Sequence, residues 1–302
     1  MEQARCTLRA GELVAEVRPA YGGRITRYLR DQRGHRQHIF RPTPDEAGNV
    51  HAPFKTGCYP LVPFSNRIDR GRFCFEGREI VLPAHPQAAP HAMHGHGSVS
   101  AWTVTDLAED RLRIEYRHEP GSWPFAYAAA QEVHLDPEQG LLVGIQVKNL
   151  GAETMPAGLG LHPFFDLEPG TRLTFTAAKH WLASSDFLPF AHEPVPAALD
   201  FSAGRELGGD ARDESFDDWD GHALIRWAGR DLALEIQAEA VLGHLILHRP
   251  AGLPYFCLEP VSHVTNAFNL AAAGHADTGM RALAPGETLA AECRFTPIGR
   301  QE

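Results

Sequence analysis

The chain of 302 residues contains no uninterrupted apolar stretch of the ~18 residues or more that a membrane-spanning helix needs. Its first residues, MEQARCTLRAGELVAEV, are broken by charges every few positions, so they form no apolar signal core. Cysteine is scarce. Cys6, Cys58, Cys74, Cys257 and Cys293 are scattered, odd in number and without a CxxC pair, which supports neither a zinc knuckle nor a redox motif. The expectation is reduced thiols in a cytoplasmic protein. Positive charge is also in deficit, with 28 basic against 38 acidic residues and a net charge of −10. Nucleic acid is therefore not an expected partner, because phosphate contacts need a basic face. No repeat, low-complexity tract or sustained helical periodicity is present. A content of 43% hydrophobic and 22% charged residues excludes a disordered chain, a collagen and a coiled coil.

What is present is punctuation and alternation. Glycine (28) and proline (23) are spread along the whole length and separate short segments. Leu112, Ile114 and Tyr116 alternate with Arg111, Arg113, Glu115 and Arg117, and Leu232, Leu234 and Ile236 alternate with polar or small neighbours. A period of two is that of a half-buried strand. Phe73 and Phe75, then Glu76-Gly77, then Ile80 and Leu82 read as a hairpin. Residues 141–147 and 245–248 also read as strands, and the alanines of 126–130 lie in a strand-like run. The predicted fold is all-β, a large antiparallel sandwich forming one domain over 1–302. Residues 186–220 show little alternation and are expected to be a long loop of the kind that carries function.

Four segments bring polar groups next to glycine, proline and aromatics. Residues 63–73 contain Arg67, whose planar guanidinium can bind a polyol or a carboxylate by two parallel hydrogen bonds, or can simply be a surface arginine. Residues 91–97 contain His94 and His96, at a spacing that suits metal ligation on one strand face, or a plain turn. The flanking glycines are expected to let a ligand approach the backbone. Residues 158–167 place His162 between apolar residues, as either an acid–base group or a satisfied core histidine. In 255–260, Glu259 ends an apolar run; burial would raise its pKa into the useful range, and an ion pair with an arginine is the structural alternative.

In this order the four segments resemble the aldose 1-epimerase (galactose mutarotase-like) family. The matching stretches are Asn66-Arg67-Ile68 with Gly71 and Phe73, Met93-His94-Gly95 with Trp102, residues 160–167, Cys257-Leu258-Glu259-Pro260 and the closing 283–288, so the likeness runs from about Gly57 to the C-terminus. The resemblance implies a large β-sandwich with an open sugar cleft. It implies interconversion of the α and β anomers of a free aldose, with a monosaccharide as partner and no cofactor or metal. Glu259 falls at the general-base position, acting on the anomeric hydroxyl, and His162 at the general-acid position, acting on the ring oxygen. His94 falls at a histidine on the ring-oxygen side and Arg67 at an arginine that binds sugar hydroxyls. Asp213, three residues before Phe216, fits the family's hydroxyl-binding aspartate, with Asp217, Asp218 and Asp220 close by. His96 is expected to line the pocket without a catalytic role.

This chemistry wants a raised Glu259 and a partly protonated His162 on opposite sides of the hemiacetal. Trp102, Phe164 or Phe165 can pack on the sugar, although Phe165 reads better as core. The alternatives are a hexose-6-phosphate 1-epimerase, a non-catalytic sugar-binding protein on the same fold, and a metal site built on His94 and His96. The phosphate reading needs basic side chains at the cleft, but alternation turns Arg70 and Arg72 away from the face of Phe73. The metal reading lacks a carboxylate in the residues that follow.

Overall fold

A computed structural model describes residues 5–44, 55–208 and 210–299. Two large antiparallel sheets face each other. The larger has 11 strands, running in spatial order Cys6–Ala10, Leu13–Arg18, Arg24–Gln32, Cys58–Leu61, Gly160–Asp166, Tyr255–Val261, His244–Arg249, Arg212–Asp217, Lys179–Ala183 and Pro189–Pro194, with His35–His38 paired to the third. The 9-stranded sheet is centred on Tyr127–Asp136, Gly140–Asn149 and Thr288–Gly299. The alternating segments form strands as expected: Arg111–His118 pairs along its whole length with the alanine-containing Tyr127–Asp136. Arg72–Phe75 and Arg78–Val81 close a hairpin across Glu76-Gly77. Both turn residues have positive φ, 48° and 77°, as a tight two-residue hairpin turn requires.

One core fills the space between the sheets. Leu161, Phe165, Leu245, Leu247, Phe256 and Leu258 project into it from the larger sheet, and Leu141, Val143, Ile145 and Phe295 from the smaller. The Tyr28 hydroxyl crosses the sandwich to donate to the Phe295 carbonyl at 3.0 Å. Because side chains alternate along a strand, the residues between these face outward. On the central strands they are Tyr59, His162, Phe164, Cys257, Glu259, Ile246, His248 and Asp213. Some belong to two small apolar clusters separate from the main core, Leu61/Ile246/Val261 and Phe164/Tyr255/Cys257, with Tyr59 packed against both.

The expected long loop over 186–220 is a correction. The segment contains Pro189–Pro194, Arg205–Glu206 and Arg212–Asp217, with a short 3-10 turn at Ala197–Leu199. Pro189–Pro194 (PFAHEP) is an edge strand that buries only Pro189 and begins and ends on proline, so it shows no apolar stripe. Arg212–Asp217 buries only its last two residues. Neither carries a hydrophobic period, because tertiary pairing supplies what the local pattern does not.

Candidate functional site

The outward face of the larger sheet and the segments 64–67 and 82–99 enclose a cleft of about 760 Å³, within the size range of small-molecule sites. At its floor, the strands Gly160–Asp166 and Tyr255–Val261 pair at Gly160–Val261 and again at Phe164–Cys257. Between these points stand His162 and Glu259, with His162 Nε2 3.2 Å from Glu259 Oε1. Pro163 and Pro260 flank them and have no N–H for the ladder. The two side chains are only 6% and 2% exposed. Glu259 Oε2 and His162 Nδ1 have no hydrogen-bond partner. Buried polar atoms are normally satisfied, and each exception calls for an explanation.

Burial drives the two groups in opposite directions. It pushes the Glu259 carboxyl well above the usual carboxylate range, reinforced by the Asp213 charge and opposed by Arg67. It takes His162 well below the ordinary imidazole value, helped by His94, His248 and Arg24. This corrects the expectation of a partly protonated His162. Desolvation thus favours the neutral form of each partner, and at 3.2 Å the two titrate as a pair. The imidazole is clamped as well. It stacks on Tyr59 at 4.6 Å and on Phe164 at 4.6 Å, and the Arg24 guanidinium caps Tyr59 at 4.7 Å.

The other expected residues meet at this floor. Arg67 begins a two-residue strand paired to Ala92–Met93, which sets it beside His94. Asn66, at φ 53°, ties the junction. Its N–H donates to His94 Nδ1 at 3.1 Å, and its Oδ1 accepts from the Arg67 N–H at 2.9 Å and from Nη1 at 3.2 Å. With Nδ1 accepting, neutral His94 carries its proton on Nε2; burial holds its pKa down at about 3. Asp213 Oδ2 is 3.8 Å from Arg67 Nη1 and 3.4 Å from His248 Nδ1. Asp213 lines the cleft, whereas Asp217 is bound to Trp181 Nε1 and His244.

His96 lines the cleft as expected, but its Nδ1 shares a hydrogen bond with the Tyr127 hydroxyl at 3.2 Å and its ring stacks on His118 at 4.4 Å. His94 and His96 thus each use a nitrogen within the protein. Among the described residues, the metal-capable side chains that converge are instead His162, Cys257 and Glu259. The glycines after His94 also meet a packing need, and Gly95 lines the cleft. A Cβ on Gly95 would lie 2.2 Å from the Val62 carbonyl oxygen, and one on Gly97 2.5 Å from Val62 Cγ2. Of the three aromatics considered for the sugar, only Phe164 lines the cleft. Trp102 is buried with its indole N–H on the Gly97 carbonyl, and Phe165 is core. Arg24, Lys55, Tyr59, His248 and Tyr255 line the cleft without having been singled out as site residues. His248 closes the apolar run 245–247 with no site signal of its own, and Arg24 and Lys55 had none either.

Residues 5–296 match the family model for aldose 1-epimerase, so the likeness begins well before Gly57. The uncharacterized protein YphB of Escherichia coli K12 is 33% identical over 243 residues, covering 78% of this chain and 81% of its own. A crystal structure of a candidate aldose 1-epimerase from Escherichia coli K12 superposes with a TM-score of 0.86 at 29% identity, covering 98% and 99% of the two chains. The GalM/aldose epimerase homologue from C. elegans shares the fold, with a TM-score of 0.84 at 16% identity over 99% of each chain. With the fold, the outward-facing cleft and the match over nearly its whole length in agreement, the chain belongs to the aldose 1-epimerase family.

Proposed function

We propose that the protein is a mutarotase that interconverts the α and β anomers of a free aldose by acid–base ring opening and reclosure. The observation that carries this reading is the buried His162–Glu259 contact at 3.2 Å on the cleft floor, with Oε2 of Glu259 left open. The anomeric oxygen and the ring oxygen are both bonded to C1, so two neighbouring groups can serve them, and the 3.2 Å contact supports a side-by-side placement over one on opposite sides of the hemiacetal.

Transfer of the Glu259 carboxyl proton to His162 Nε2, 3.2 Å away, yields a carboxylate base and an imidazolium acid with no change in total charge. Glu259 then takes the proton of the anomeric hydroxyl while His162 protonates the ring oxygen and the C1–O bond breaks. Rotation about C1–C2 presents the other carbonyl face. Reclosure with the roles reversed gives the opposite anomer. His94, neutral and donating from Nε2, polarises the ring-oxygen side; Arg67 and Asp213 hold sugar hydroxyls.

Polarimetry of freshly dissolved α-D-glucose and α-D-galactose tests this. Wild type should accelerate the decay of rotation, and Glu259→Gln and His162→Asn should not. An Ala variant of Glu259 as fast as the parent would overturn the catalytic assignment, and a wild type silent on every aldose would support a sugar-binding protein instead.

A second reading, an aldose carrying an anion such as a hexose 6-phosphate, is favoured by Arg24 and Lys55 in the cleft wall. Arg70 and Arg72 do not contribute; Arg72 pairs with Glu79 at 3.1 Å. A kcat/KM for glucose 6-phosphate no higher than for glucose would dismiss it.

A further inference from the structure

The strands Lys179–Ala183 and Pro189–Pro194 form a hairpin at the edge of the larger sheet. Its base is anchored twice, by Trp181 Nε1 donating to Asp217 Oδ2 at 2.5 Å and by His180 Nε2 to Glu214 Oε2 at 2.7 Å. Its tip is closed by the Phe187 N–H on the Ser184 carbonyl at 2.9 Å and the Ser184 N–H on the Leu188 carbonyl at 3.0 Å. At this tip Phe187 adopts φ 60°, an outlier conformation for a bulky side chain. Its ring is 45% exposed, yet it is not adrift: the Arg67 guanidinium lies 4.7 Å from its centroid. Arg67 is the cleft residue adjoining Asn66, His94 and Asp213. An anchored hairpin thus carries an aromatic ring, in a strained backbone conformation, from the sheet edge onto Arg67, which lines the cleft. The core takes nothing from it, since Phe187 belongs to no hydrophobic cluster. Unfavourable φ values of this kind persist where function uses them.

We propose that Phe187 is a substrate-binding residue, whose exposed ring packs on the apolar C–H face of the bound sugar while its other side holds Arg67 flat toward the hydroxyls. The physics is that of any aromatic with an apolar body meeting a surface that is polar at its edge and apolar on its face. This rests on the mutarotase reading for the identity of the ligand. It adds a residue outside the catalytic floor that selects for pyranoses with an unobstructed face.

The test pairs kinetics with binding. Phe187→Ala should raise KM for the accepted aldose about tenfold, equivalent to ~1.4 kcal/mol, with kcat within about twofold, and Phe187→Trp should restore KM. In a Glu259→Gln background, Phe187→Trp should give a saturable change in fluorescence on adding that aldose, beyond that of Glu259→Gln alone. An unchanged KM in Phe187→Ala, or a fall in kcat with KM unchanged, overturns the proposal. If wild type turns over no aldose, the mutarotase reading fails by itself. The fluorescence arm then decides: a saturable response to any aldose in the panel keeps Phe187 as a sugar contact, and silence across the panel removes it.

Discussion

The two faces of the same five strands differ in composition and in task, even where both are buried. The inward face carries Phe165, Phe256, Leu258, Leu245 and Phe216, all part of one continuous core. The outward face carries His162, Glu259, His248, Asp213 and Tyr59, interrupted by two small apolar clusters. Phe256 and Glu259 are 0% and 2% exposed on one strand, but burial stabilises the first and penalises the second. The inward face is organised to hold the sandwich together, whereas the outward face keeps His162 and Glu259 out of water, where their proton affinities are displaced.

Glu259→Gln separates the two faces most sharply. Acid–base groups contribute ~10²–10⁴-fold, and kcat in the polarimetric assay should fall by about a thousandfold. Stability should move the other way. Glu259 has its pKa raised in the folded state, so above the ordinary carboxylate pKa the unfolded chain releases a proton that the native site retains. The group therefore subtracts from stability at neutral pH, and the thermal midpoint of Glu259→Gln at pH 7 should be no lower than that of the parent. A clear drop would mean that the outward face is structural after all.

Phe256→Ala is the reciprocal experiment. It should cost ~3–5 kcal/mol in urea unfolding while the folded fraction keeps a kcat within a few-fold of wild type. A smaller contrast is expected at Arg67, where lysine retains the charge but loses the planar fork that Asn66 and Phe187 position. Arg67→Lys should raise KM about tenfold and leave kcat nearly unchanged. The least change is expected from pH. His162 is held well below the ordinary imidazole value, so its neutral form persists as pH falls through that value. The kcat/KM profile should stay level from about pH 7.5 to about pH 5.5, where an unperturbed histidine near 6.5 would bend it.

Strand content was legible wherever one side of a strand faces solvent, as in Arg111–His118, because exposure on one side imposes a period of two. The central strands Gly160–Asp166 and Tyr255–Val261 are buried nearly throughout and read as apolar runs, in which His162 and Glu259 are conspicuous as interruptions. That made the pair visible before its geometry was known. Tyr59 and His248 reach the same site only through strand register, which places Tyr59 opposite His162 and His248 opposite Cys257. Arg24 and Lys55 arrive from other segments with no local pattern. Phe187 was hidden for a different reason: its hairpin has an edge strand without an apolar stripe, and this stretch was taken for loop. The displacement of His162 was illegible because it depends on what surrounds the ring, namely burial between Tyr59 and Phe164 with His94, His248 and Arg24 nearby.

The adjacency of Glu259 and His162 has a consequence for traffic with the solvent. On the proposed reading, ring opening takes one proton from the sugar and returns one to it, and closure does the same in reverse. The donor and acceptor are adjacent and enclosed, so each cycle conserves the site's protonation without a proton wire to bulk water. A reaction with zero net proton exchange is one that a sealed floor can host. Heats of sugar binding measured in buffers of different ionisation enthalpy should accordingly coincide.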